Sequence, residues 1–61
     1  MSYRVGAYVV DQRTGTLAQV MGHVGPRVQI RRPDGGREWE APPRALRLAT
    51  RDECVAAGVR P

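Results

Sequence analysis

The sequence predicts a mainly β domain: five short strands followed by a short C-terminal helix. Three observations carry that reading. Val28 to Glu40 runs Val-Gln-Ile-Arg-Arg, Pro-Asp-Gly-Gly, Arg-Glu-Trp-Glu, with apolar and polar residues alternating on both sides of a turn signal, which is how a half-buried β-hairpin is written. Alternating or apolar-rich runs upstream, around Val9 and Val20, are divided by glycine-containing turns. Downstream, Pro42-Pro43 ends the alternation, and Thr50 with Glu53 spells a capping box.

The first strand is predicted from Val5 to Val10, where Val5, Ala7 and Val9 alternate with Gly6, Tyr8 and Val10. Asp11 to Gly15 is a turn, with Asp11 as its capping side chain and Gly15 free to take positive φ. Thr16 to Val24 is the second strand, with Ala18 and Val20 on one face and Leu17, Gln19 and Met21 on the other. Gly22 marks a bulge or bend in it. Gly25-Pro26 turns the chain into a third strand, Arg27 to Arg32.

A four-residue loop at Pro33–Gly36 pairs Arg32 with Arg37, Arg31 with Glu38, Ile30 with Trp39 and Gln29 with Glu40. This register sends Val28, Ile30 and Trp39 to the core. It also opposes Arg31 to Glu38 outside, a pair worth about 0.2–1 kcal/mol. A slip of one residue would bury a charge, so the register is firm. Pro43-Arg44-Ala45 suits one 3₁₀ turn. Leu46 and Leu48 then point inward from a fifth strand, with Arg47 outward. The helix carries Cys54, Val55 and Ala57 and stops at Gly58. At two turns it needs a surface to pack on.

Sixty-one residues allow one domain, 1–61. A chain of this size buries only ~60% of its unfolded surface, so a second copy or a partner would supply burial that it lacks. Apolar residues make up 41% and charged residues 26%, which excludes disorder for the body of the chain. A single cysteine, Cys54, excludes an internal disulfide and a cysteine zinc cluster. No stretch approaches the ~20 apolar residues of a membrane span, and a reducing cytoplasm is the expected location. The net charge is +4, and every basic residue is Arg. High-GC codon usage, as in actinobacteria, produces the same enrichment as selection for phosphate binding.

Five strands with one helical turn before the last resemble the SH3-like barrels, in particular the KOW and Tudor-like branch, and small actinobacterial proteins of that shape. The residues that carry the resemblance are Val5-Gly6, Val9-Val10-Asp11, Thr14-Gly15, Val20, Val28-Gln29-Ile30, Trp39 and Pro43 to Leu48. It implies a five-stranded barrel over about residues 4–49, with the helix at about 51–58. It also implies a binding module rather than an enzyme.

No catalytic constellation, metal set, cofactor motif or small-molecule site is expected. His23 lacks a second ligand and reads as a surface or loop histidine. Cys54 reads as a small packing residue, and Trp39 reads as a core indole. The leading expectation is a protein-interaction module, a homodimer or an accessory subunit. Its interface would be the outer apolar residues Tyr8, Val10, Leu17 and Met21, with Val55 of the helix. The alternative is a nucleic-acid-binding domain, a regulator of transcription among the options, using Arg4, Arg13, Arg27, Arg44 and Arg47. The arginines of the hairpin are discounted, because Glu38 and Glu40 sit beside them.

Overall fold

Five antiparallel strands form one sheet in the computed structural model, which describes residues 3–60. In chain order they are β1 (Tyr8–Asp11), β2 (Thr16–Val24), β3 (Arg27–Arg31), β4 (Trp39–Ala41) and β5 (Leu46–Leu48). A 3₁₀ turn, Pro43–Ala45, precedes β5, and one helix, α1 (Arg51–Ala56), follows it. The spatial order is β4-β3-β2-β1-β5. The sheet is open: β4 and β5 are its two edges, and no ladder joins them. Among the described residues no helix is long and apolar enough to cross a membrane.

Alternation decides the core. Val9, Ala18, Val20, Val28, Ile30, Ala41 and Leu46 are buried together, with Tyr3, Ala7 and Trp39 packed against them. Ala18 and Val20 share the inner face of β2, as their spacing predicts. Burying each valine, leucine or isoleucine side chain of this set stabilises the fold by about 1.5–3 kcal/mol. Val10 points to the opposite face of β1 from Val9 and is also buried, at 5% exposure. Cys54 of α1 is buried as well, and Ala57 lines a groove with Leu17 of β2.

The expected register of the central hairpin holds where it matters for the core. Ile30 pairs with Trp39, Gln29 with Glu40 and Val28 with Ala41. The bulge at Gly22 is present as a register shift between Val20 and Gly22. Four expectations need correction. First, β1 starts at Tyr8 rather than Val5, because Val5-Gly6 turn: Gly6 has φ 95° and the Ala7 N–H donates to the Arg4 carbonyl. Second, the β3–β4 ladder ends at Ile30–Trp39, so the Arg31–Glu38 and Arg32–Arg37 pairs do not form in it. The cause is the loop. Gly35 and Gly36 take φ 102° and 94° in succession, a left-handed path that turns the chain away from its partner strand. The ion pairs among the described residues are Arg13–Asp11 and Arg47–Glu53, with no Arg31–Glu38 contact. Third, Leu48 lies opposite Val9 on the inner face but on the free edge of the sheet, where it stays 57% exposed. Fourth, Trp39 is half-buried rather than enclosed.

The helix end signals read correctly. The Thr50 hydroxyl accepts from the Glu53 N–H at 3.1 Å, and Glu53 Oε1 accepts from the Thr50 N–H at 2.8 Å. At the other end the Gly58 N–H donates to Val55 and the Val59 N–H to Cys54, a Schellman closure. Arg47 ties the helix to β5 through a two-pronged contact with Glu53 at 2.8 and 2.7 Å.

Candidate functional site

The end of β1 holds a charge that the sheet encloses. Asp11 is 1% exposed. An ionised carboxylate there requires donors at both oxygens, and the turn that follows supplies most of them. The Arg13 backbone N–H and Nε–H both donate to Oδ1 at 3.0 Å, and Arg13 Nη2–H donates to Oδ2 at 2.9 Å. The remaining donor comes from across the sheet: the Trp39 indole N–H donates to Oδ2 at 3.0 Å. The Arg13 guanidinium holds the Asp11 carboxyl well below the usual carboxylate range; burial opposes this, and the indole N–H adds to it. Arg13 itself is shifted upward by the same contact. Its Nη2 also reaches the Glu40 carbonyl at 3.4 Å, so the β1–β2 turn is tied to β4.

This anchoring brings Trp39 beside a cleft of about 600 Å³. The β1–β2 turn and the start of β2 contribute Thr14 and Thr16, whose hydroxyls lie 2.9 Å apart in a hydrogen bond. The β3–β4 loop contributes Arg32, Asp34 and Arg37, with Gly35 and Gly36 between them. Neither Arg32 nor Arg37 is in an ion pair among the described residues. The cleft therefore combines an aromatic ring, two cations against one carboxylate, and two hydroxyls. Cleft dimensions of this order suit a small ligand or one segment of a chain.

The expected site residues lie elsewhere. Of the five arginines expected to contact phosphate, Arg13 and Arg47 are engaged by Asp11 and Glu53. Arg4, Arg27 and Arg44 are exposed but do not line the cleft. Of the five expected interface residues, Val10 is buried, Tyr8, Leu17 and Met21 are half-buried, and Val55 is 63% exposed. Among the described residues no three His, Cys, Asp or Glu side chains gather as a metal set. His23 is exposed and Cys54 is buried.

The sequence pattern favours a core place for Trp39 over a ligand platform, and it discounts Arg32 and Arg37 as charges paired within the hairpin. The register placed Trp39 correctly opposite Ile30, but Trp39 is the first residue of β4, so its ring stands where the loop opens. The doubled glycine after Asp34 was the available signal that the ladder would end early. Compared with known proteins, the chain matches no family model, no curated protein and no solved structure.

Proposed function

We propose that the chain is a small, non-enzymatic binding module of the SH3-like type that holds single-stranded nucleic acid at the Trp39 cleft. The strand order, with a 3₁₀ turn before the last strand, supports the SH3-like part of the reading. The observation that carries the ligand is the meeting of the chain's sole tryptophan with two arginines that have no acid partner among the described residues. An aromatic face stacks on any base, contributing about 1–3 kcal/mol per base, and guanidinium groups hold the flanking phosphates. The net charge of +4 adds long-range attraction for a polyanion. A duplex keeps its base faces stacked on one another, so an unpaired strand is the better match to a ring at a cleft wall.

The test is fluorescence anisotropy of labelled deoxythymidine and uridine oligonucleotides across a salt series. Two phosphates held by Arg32 and Arg37 give log K falling with log salt at a slope of about −1.4, from ~0.7 per single-strand phosphate. Combined Arg32→Gln and Arg37→Gln substitution should flatten that slope. Absence of binding at low salt overturns the proposal.

A second reading, a protein-interaction module acting as a homodimer or accessory subunit, rests on Leu48 and Val55, which remain 57% and 63% exposed. Light scattering on the eluting peak of a size-exclusion column tests self-association directly. A monomer at high concentration removes that half of it.

A further inference from the structure

Asp11 is a buried charge in a chain that has few residues with which to enclose one. Its carboxylate accepts from three groups of Arg13 and from the Trp39 indole. Asp11 pairs in register with Leu46 of β5, while its side chain reaches Trp39 of β4. The two open edges of the sheet therefore both meet at this residue, one by backbone and one by side chain. We propose that Asp11 is a positioning residue for the binding cleft: by accepting the indole N–H it fixes the ring plane of Trp39 at the cleft wall. This rests on the single-strand reading for the ligand, but the geometry of the ring can be tested without any ligand.

The chemistry demands a carboxylate. Both oxygens face donors: Oδ1 receives two N–H groups of Arg13, and Oδ2 receives Arg13 Nη2–H and the indole N–H. An asparagine of the same shape has one oxygen and one NH₂. Whichever way its amide turns, an N–H faces an N–H. If the oxygen keeps the arginine contacts on the Oδ1 side, the indole is left facing a donor and loses its anchor.

The near-ultraviolet circular dichroism of the single tryptophan reports whether its ring is held in one orientation, and acrylamide quenching reports its access to solvent. Asp11→Asn is expected to lower the tryptophan dichroism at least twofold and to raise quenching at least twofold, with the far-ultraviolet sheet signal kept. Oligonucleotide affinity should fall about tenfold. Chemical synthesis of the chain with benzothienylalanine at position 39 replaces only the indole N–H by sulfur, and that ring, followed by its NMR nuclear Overhauser contacts to neighbouring residues, should no longer be held in one orientation. Arg13→Gln serves as the comparison: it removes the tie to Glu40 but leaves the indole its acceptor, so thermal stability should fall while the tryptophan dichroism is kept. A benzothienylalanine ring that keeps one orientation, with the nuclear Overhauser contacts of the wild-type indole, overturns the proposal. Loss of tryptophan dichroism in a chain whose wild type binds no oligonucleotide supports the positioning role and overturns the nucleic-acid reading.

Discussion

At Asp11 a carboxylate with almost no solvent contact stays charged because the residue two places on reaches back to it and a ring 28 residues away donates to it. All buried side-chain polar atoms among the described residues have partners, so the site is satisfied rather than strained. Its pH dependence follows from the direction of the shift. The folded carboxyl lies below its unfolded value of about 3.9. The stability it contributes is therefore fully present above about pH 4 and is lost as pH falls toward the folded value. Arg13→Gln removes the first cause of the shift, so the Asp11 midpoint should rise toward the ordinary range, read as the carboxyl carbon shift in an NMR titration. An unchanged midpoint would mean that Arg13 does not hold the charge. Glu53 obeys the same sign: its carboxyl is held at about 2, first by Arg47. Its contribution is thus complete above about pH 4.5 and fades as pH falls through about 2.

At the scale of elements, α1 tests how a six-residue helix persists. Isolated helices of this length do not form in water. The capping box, the Schellman closure, the Arg47–Glu53 contact and the burial of Cys54 supply what length does not. Thr50→Ala should destabilise the protein by about 1 kcal/mol, read in urea melts. A change near zero would show the cap to be idle. Gly36 sits at φ 94° with open space around its Cα, so Gly36→Ala costs backbone strain alone, about 1–2 kcal/mol.

These elements also show what was legible in the chain. The Ile30–Trp39 register, the Gly22 bulge, the 3₁₀ turn after Pro42 and the capping box were readable because each is encoded within a few neighbouring residues. The exposure of Leu48 was not, since alternation gives its face but not that β5 would be an uncovered edge. The place of Trp39 beside a cleft was not readable either. Its inward register was correct, but its anchor lies on a strand distant in sequence, and two glycines at positive φ line the cleft beside it. The arginines that meet there were set aside because Glu38 and Glu40 adjoin them in sequence. In the fold neither acid makes an ion pair among the described residues.

For the whole molecule, small size sets the margins. At ~0.05–0.15 kcal/mol per residue, a chain of this length has a total stability of about 3–9 kcal/mol. Ile30 is fully buried at the centre of the core, and Ile30→Ala removes about 2–5 kcal/mol. That change alone should lower the melting midpoint by on the order of 10 °C or more, read by circular dichroism. A cooperative melt within a few degrees of wild type would show that the sheet does not depend on this cluster. The net charge of +4 is a property of the whole chain and, on the proposed reading, speeds encounter with a polyanion. On the proposed reading, the Trp39 cleft is where an encounter becomes a complex. The most direct measurement is a ¹⁵N NMR titration of the labelled protein with a short deoxythymidine oligonucleotide at low salt. The expected shifts centre on the Trp39 indole N–H, the Gly35 and Gly36 amides and the Arg32 and Arg37 side chains. No shifts, or shifts gathered around Leu48 and Val55 instead, would contradict a nucleic-acid site at the cleft.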